Sequence, residues 1–478
     1  PGQRKNRQIF DSTACESARE FASVMQSTLT PPWREFSILT LGRQVMLGRS
    51  EEDVIAINQQ LSDITEIVFD FLNHSNFHAQ ATEAYMDLSI GTGALISGWE
   101  FNERTGVGNL TYKSIPLKIL VLEEGPNGMV ENVWRLMEVS LEHAMRMWPG
   151  ISLTQAEQAR VTKGDRGKEK FKEAVLFDPQ TGDYIQVVVD GKFNVRWQQN
   201  QGESNPWIVF RWSVNPIEVY GRGPGINMLP DIRTLNKVKE FLLRNAALSI
   251  SNVYTRTGGQ EGAFNPFTVR LQPNMIIPVK SNATDNPTLR ALERSGDLNF
   301  ADLLLRDLQG DVKRAFLNDQ ITPEGPVRSA TEIAIEDRQL VRRIGAEFGR
   351  LQTEFVERLI ARAVFILQRE NVIPPMRVDG RTITLRHTSP LARAQDQEEL
   401  LGLQNTMASV AALPLDLIMQ KFKVEDLTPW VHEKNGGDPK LIRTPEEQIQ
   451  FAQNFQQVAA GAAGGEGGEQ GALPAPTE

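Results

Sequence analysis

The chain has 478 residues, 40% of them hydrophobic and 23% charged, with 60 acidic against 51 basic residues and a formal net charge of −9. That length allows a large core and two or more substructures, while the acidic balance argues against a protein that grips nucleic acid by counterion release, because each phosphate contact needs a cation. A single cysteine, Cys15, excludes an internal disulfide framework and fits a reducing cytoplasm; no apolar run approaches the ~20 residues that span a bilayer, and residues 1–30 lack a signal peptide's apolar core.

Residues 1–10 are basic and polar, a flexible arm whose start at Pro1 rather than Met suggests a trimmed N-terminus. Thr13-x-x-Glu16 has the capping-box pattern. Phe21, Val24, Met25, Thr28 and Leu29 then carry an apolar helix face until Thr30-Pro31-Pro32 stops it. A second helix starts at Ser50, with Asp53 three residues on, and its buried stripe is Val54, Ile57, Leu61, Ile64, Ile67, Val68 and Phe71. His74 and His78 have a spacing that chelates metal on a helix, but Cys15 is remote and no His-Glu-x-x-His run exists, so the pair reads as solvated or hydrogen-bonded.

From Ala94 to Val139 apolar residues alternate with turn signals at Glu103-Arg104-Thr105-Gly106 and Gly125-Pro126-Asn127-Gly128, the pattern of strands. A short helix at Leu141–Trp148 ends at Pro149-Gly150. The densest basic run holds Lys163, Arg166, Lys168, Lys170 and Lys172, interleaved with Asp165, Glu169 and Glu173 and with Phe171 alone for stacking. Mixed charge weakens attraction for phosphate, so a solvated loop is expected over residues 162–173. Tyr184–Val189 and Trp207–Phe210 are apolar and β-branched, split by Asp190-Gly191 and Asn205-Pro206. Residues 1–218 therefore read as an α+β domain.

The chain pivots at Val219-Tyr220-Gly221-Arg222-Gly223-Pro224-Gly225, followed by Leu229-Pro230-Asp231-Ile232-Arg233-Thr234-Leu235-Asn236. Glycine enters positive φ cheaply, so Gly221, Gly223 and Gly225 break any regular element. Pro230 suits a first helical turn, and apolar residues then recur at Leu229, Ile232, Leu235, Val238, Leu242, Ala246 and Ile250, one face of a helix over about 226–252. A nucleotide loop is excluded by its fingerprints: there is no Gly-x-x-x-x-Gly-Lys-Ser/Thr run, the spacing is Gly-x-Gly-x-Gly, and Pro224 removes an amide donor. A tight turn feeding a buried helix is the simplest reading. The stretch also closely resembles the segment that enters the first stem helix of portal proteins, or head-to-tail connectors, of short-tailed bacteriophages. Asp11-Ser12-Thr13-Ala14 and Leu29-Thr30-Pro31-Pro32-Trp33 resemble the opening of that family.

Beyond the helix, strand-like Phe267–Leu271 and Met275–Val279 are separated by Gly258-Gly259, Asn265-Pro266 and Pro273-Asn274. Helix returns over about 298–317, with Ala301, Leu304, Leu308, Val312, Ala315 and Phe316 buried and Asp302 able to pair with Arg306. A Pro/Gly loop spans Asn318–Ser329, and a helix of roughly forty residues follows, far above the ~11–12 of an average one. Its stripe is Ile333, Leu340, Ile344, Phe348, Leu351, Phe355 and Leu359; Gly345 and Gly349 inside it mark a bend or a close helix contact. Ala330-Thr331-Glu332-Ile333 and Leu351-Gln352-Thr353-Glu354-Phe355 again resemble the portal family. Pro374-Pro375 ends the helix, Thr382–Leu385 is a candidate strand, residues 395–460 are mostly helical, and the Gly/Ala-rich end from Ala459 reads as disordered.

The resemblance implies an α+β portal fold: wing (1–223 and 330–394), two-helix stem (224–252 and 298–318), small β-rich clip (253–297), helical crown (395–458) and a disordered tail (459–478). It implies a tunnel loop at 319–329, with Gln320, Ile321, Thr322, Pro323, Glu324, Gly325, Pro326 and Arg328 at a channel for double-stranded DNA. It implies a homo-oligomeric ring of twelve at one capsid vertex of the virion, assembled in the host cytoplasm. The partners would be the terminase large subunit, the major capsid and scaffolding proteins and a tail adaptor, with no membrane. The residues themselves offer no Gly-x-Ser-x-Gly elbow, no metal set and no cofactor motif. Cys15 is expected to be packed and inert. Two functions of different class remain: a structural DNA conduit, and a packaging-associated nuclease or NTPase, which a Walker motif or an acidic metal cluster would have favoured.

Overall fold

The computed structural model describes residues 9–47, 49–102, 106–250, 254–257, 276–279, 285, 298–318, 345, 347–376, 378, 382–388 and 390–410, with residues 427, 430–432, 434 and 451. Helix α1 (Thr13–Leu29) and strand β1 (Ser37–Leu41) are followed by α2 (Arg43–Met46), α3 (Glu51–Asn73) and α4 (Phe77–Leu88). Strands β2 (Thr92–Asn102) and β3 (Val107–Ser114) come next, then β4 (Leu120–Glu124) and β5 (Val130–Ser140). Helices α5 (Leu141–Met147) and α6 (Gln155–Thr162) precede β6 (Lys168–Phe177), β7 (Tyr184–Asp190), β8 (Val195–Gly202) and β9 (Trp207–Arg211). Helices α7 (Pro224–Asn227) and α8 (Leu229–Ile250), strands β10 (Tyr254–Thr257) and β11 (Ile276–Val279), and helix α9 (Leu298–Ala315) follow. Helical residues 347–351 run into a π-helical turn at Gln352–Glu357 and then α10 (Arg358–Arg369), β12 (Ile383–His387) and α11 (Pro390–Val410).

Two antiparallel sheets organise the fold. One is three-stranded in the order β3-β2-β9, the other a five-stranded meander β4-β5-β6-β7-β8. All five residues of β9 are buried, which explains its unbroken apolar run: both its faces are covered. Ile208 and Phe210 point into a core formed with α1, α3, α4 and the helix after residue 347, through Phe21, Phe77, Tyr85, Leu351 and Phe355. Trp207 and Val209 point the other way, onto Leu120, Leu122, Val133 and Val175 of the five-stranded sheet. The first core also takes Leu235 of α8 and Leu305, Val312 and Phe316 of α9, so both long helices are rooted in it. Strand β12 pairs antiparallel with β1, Leu39 opposite Leu385, closing the distant parts of the chain on each other. Helix and sheet are thus mixed in one packed body, as the sequence predicts.

Local expectations fared unevenly. Ser50 does cap α3, accepting the Asp53 amide. Thr13 does not cap α1: it is the buried first helical residue, and its amide donates to the Asp11 carboxylate at 2.9 Å. Cys15, expected to be packed, is exposed. On α3 the buried line runs through Leu61, Ile64, Thr65, Val68 and Leu72, and Ile67 faces outward. On α9 Leu305 is buried where Leu304 was expected, and Asp302 pairs with Arg306 at 2.9 Å on the exposed side. His74 and His78 fall on either side of the break between α3 and α4; one ring contacts the Asp70 carbonyl, the other the Asn73 side chain.

The run at residues 162–173 is not a loop throughout. Residues 168–173 form the first six of the ten residues of β6, the middle strand of its sheet. There Glu173 is wholly buried and bonded to Arg135 and Gln186, while Lys172 lies over the Phe193 ring. Alternation puts lysines on one face and a buried acid on the other, a pattern that charge counting hides. Helix α6, before it, opens with a complete capping box from Thr154 and Glu157. In the region expected to be clip, β10 and β11 form a parallel pair, and Phe267–Leu271 lies outside the described residues.

Candidate functional site

The glycine-rich pivot is built against the turn that ends α4. The amide of Gly223 donates to the Ile90 carbonyl at 2.8 Å and that of Gly225 to the Ser89 carbonyl at 2.8 Å. Gly221 donates to the Thr92 hydroxyl at 2.9 Å, and Trp212 to the Gly91 carbonyl at 2.9 Å. Two backbone segments more than a hundred residues apart thereby lie in direct contact. A Cβ on Gly221 would stand 2.2 Å from the Gly91 carbonyl oxygen, one on Gly223 2.4 Å from that of Ser89, and one on Gly91 2.0 Å from that of Gly221. The glycines are required for this approach. Positive φ, the reason expected from sequence, is not what they supply, since Gly221, Gly223 and Gly225 are absent from the residues that adopt it. Because the amides of Gly221, Gly223 and Gly225 are spent on internal acceptors, they do not form a phosphate cradle.

Pro224 follows as the first residue of α7, where its missing amide costs nothing, and Pro230 sits in the first turn of α8. Tyr220 reaches back to donate its hydroxyl to the Leu120 carbonyl at 3.2 Å. Arg222 is exposed and paired with Glu218. Asp231 is half-buried. The Asn236 side-chain oxygen accepts the amides of Phe10 and Asp11 at 2.7 and 3.3 Å. Asp11 also takes a hydrogen bond from Gln309 of α9 at 3.0 Å. Burial would raise the Asp11 carboxyl, yet hydrogen bonds from Thr13 and Gln309 hold it below its usual range. The segment before α1 therefore ties both long helices together.

Beneath the pivot lies a buried ion cluster that sequence reasoning missed. Arg211, 1% exposed, donates from its backbone amide, Nε and Nη2 to Glu354 at 3.0, 3.2 and 2.7 Å. It also bonds Glu124 and the carbonyls of Gly128 and Val219. Burial disfavours its charge, but Glu354 and Glu124 more than compensate and hold its pKa above the ordinary value. The π-helical turn inserts a residue into the helix and sets Glu354 toward Arg211 and Phe355 toward Phe210, whose ring centroid is 4.3 Å away. Nothing local in the sequence joins Arg211 to Glu354, 143 residues on.

The helix disturbance thus starts three residues past Gly349. A Cβ at Gly345 or Gly349 would meet no atom within 4 Å among the described residues. Gln320, Ile321, Thr322, Pro323, Glu324, Gly325, Pro326 and Arg328 lie outside the described residues. Large apolar side chains stay exposed along both long helices: Phe241 and Leu243 on α8, Leu303 and Leu304 on α9. Among the described residues no group of three His, Cys, Asp or Glu is placed to hold a metal ion, and no helix is long and apolar enough to cross a membrane. The pivot is suited to fixing the direction in which α8 leaves the body; it presents no nucleophile or acid–base pair.

Known proteins bear similarities to this chain. A protein of Bordetella phage BPP-1, "Probable portal protein", is 21% identical over 490 aligned residues, covering 94% of this chain and 82% of that protein. A chain in the structure "Neck of empty GTA particle computed with C6 symmetry" is 11% identical with a TM-score of 0.37, over 91% of this chain and 93% of that one. A chain in "Virion of native gene transfer agent (GTA) particle" is 12% identical with a TM-score of 0.36, over 86% of this chain and 92% of that one. The model of the family described as bacteriophage head to tail connecting protein matches residues 1–442. That match spans the two sheets, the glycine pivot and both long helices, and the chain belongs to the family of bacteriophage head to tail connecting proteins.

Proposed function

We propose that this chain is the subunit of a phage portal: a closed ring at one capsid vertex that conducts double-stranded DNA during packaging and ejection and docks terminase and tail proteins. The observation that carries this reading is the family match across residues 1–442, and the printed name of the Bordetella phage relative agrees with it. The geometry supports it independently. Helices α8 and α9 are rooted in the core at one end, yet carry Phe241, Leu243 and Leu303 exposed by 52, 49 and 68%. Apolar side chains exposed this far on paired helices are covered when the same wedge repeats around an axis.

In this reading, residues 1–223 and 330–394 are the wing, α8 and α9 the stem, 253–297 the clip, 319–329 the tunnel loop and 395–458 the crown. The rigid pivot sets the stem angle, which must be identical in every subunit for a ring to close. The ring has twelve subunits, as in short-tailed phages, and resides in the virion after assembly in the host cytoplasm. Capsid, scaffolding and tail adaptor proteins contact its outside. Gly345 and Gly349 admit a neighbouring subunit's helix. The net charge of −9 suits a conduit, because strong phosphate contacts would brake passing DNA. The role is structural rather than enzymatic. Light scattering of the purified chain, run beside ATPase and nuclease assays, tests the reading: an inert particle of ring size is expected, whereas DNA cleavage or ATP hydrolysis by a monomer would favour the packaging-enzyme alternative.

A further inference from the structure

A cleft lies between the start of β7, the β8–β9 loop, α10 and the side of the chain that carries Pro375, Met376 and Val378. Arg358, Trp207 and Tyr184 line it, with Val364, Phe365 and Met376 as its apolar wall. Among the described residues, the arginines packed into the body divide into two kinds. Arg211 and Arg135 are buried against carboxylates. Arg358 makes no ion pair among the described residues; its Nη1 donates to the Val130 carbonyl at 3.0 Å, which leaves most of the five guanidinium donors unspent. One turn further, buried Arg362 meets only neutral acceptors: the Ser204 carbonyl at 2.7 Å, the Ser97 hydroxyl at 3.3 Å and the Gln201 amide oxygen at 3.4 Å.

Desolvation pushes Arg362 down to about 9 and holds Arg358 below its ordinary range; for Arg358 the nearby Tyr184 and Glu354 act weakly the other way. Two cations one turn apart, neither of them in an ion pair among the described residues, raise the local potential toward an anion. Trp207 adds a second kind of evidence. It is 1% exposed, and its indole Nε1–H is a buried donor without a hydrogen-bond partner among the described residues. Such a group carries an uncompensated cost.

We propose that this cleft binds a single carboxylate on a compact apolar body, with the Arg358 guanidinium, the Trp207 Nε1–H and the Tyr184 hydroxyl as donors and Val364, Phe365 and Met376 around the apolar part. Exposed Glu203 at the rim disfavours a polyanion, so a DNA backbone is the wrong ligand and one carboxylate the right one. The same chemistry has two sources, a free organic acid or an acidic side chain of a neighbouring copy.

Calorimetric titration of the full chain with hexanoate, against hexanamide as the neutral isostere, tests the assignment. Hexanoate should give a saturable signal and hexanamide none. Arg358→Gln should weaken hexanoate roughly tenfold or more, the cost of a lost charge-assisted hydrogen bond. Arg358→Lys should retain part of the affinity, and Trp207→Phe, which keeps the ring under Arg135 but removes the donor, should weaken it less than Arg358→Gln. Circular dichroism matching the parent sets misfolded variants aside. Binding by both dispersed and assembled chain identifies a free acid as ligand; binding by dispersed chain alone identifies a neighbour's side chain. Equal responses to acid and amide, undiminished binding by folded Arg358→Gln, or no binding in either state would overturn the proposal.

Discussion

Replacing Gly223 with alanine probes why the pivot needs glycine. The added methyl would lie 2.4 Å from the Ser89 carbonyl oxygen and 2.7 Å from both the Leu88 oxygen and the Ile90 carbonyl carbon. All three are backbone atoms, so no side-chain rotation relieves the contact. The segments must part, which costs ~1–3 kcal/mol for overpacking and strains the Gly223–Ile90 and Gly225–Ser89 hydrogen bonds, each contributing ~0.5–1.5 kcal/mol. A smaller unfolded-state entropy gain of ~0.4–1 kcal/mol runs the other way, and the net loss should be about 1–5 kcal/mol. Gly310→Ala is the control, because its nearest neighbour is the flexible end of Arg314 at 3.7 Å and α9 is an ordinary helix there. It should gain up to ~1 kcal/mol. Urea midpoints at one fixed protein concentration measure both. Gly223→Ala unfolding at or above the parent midpoint would refute close approach as the reason for glycine.

Further outcomes follow from the same geometry. Glu354→Leu leaves buried Arg211 with Glu124 alone and should cost ~3–5 kcal/mol, most of it recovered by adding Arg211→Met; a double-mutant cycle by urea denaturation checks this, and additive losses would sink it. The Asp190 carboxyl is held well below its ordinary 3.8, chiefly by the Asn194 side chain despite desolvation, with Arg196 adding a further bond. A depressed carboxyl stabilises above its unfolded pKa, so Asp190→Asn should be less stable than the parent at pH 7, with the gap closing as pH falls below 3.8 in a melting series. Among the described residues Gly345 and Gly349 have open space around them, so replacing both with leucine should spare the chain's fold and block assembly in light scattering, whereas alanine at both should add up to ~1 kcal/mol each. Shortening residues 320–326 should leave rings intact by microscopy but reduce DNA packaging or retention in virions; normal retention would remove the tunnel-loop assignment.

The sequence was most legible where one local rule decides the outcome. Ser50 with Asp53 announces a helix start, and Phe348, Leu351, Phe355 and Leu359 announce a buried stripe, because capping and periodicity depend on neighbours within a turn. The Thr154-x-x-Glu157 box of α6 follows an equally local rule. What stayed hidden depends on partners far along the chain. The glycine pivot was found by composition, but its purpose lies in Ser89–Gly91, and the residues of the Arg211–Glu354 cluster carry no mark of each other. The basic run misled because Glu173 counts as a surface acid until Arg135 is placed opposite it.

Electron micrographs of the purified chain, averaged along the particle axis, test the portal reading most directly. Closed rings with a central channel, and twelve-fold symmetry in the class average, are expected. Particles that remain monomers or dimers at micromolar concentration, with no ring in any class, would contradict it.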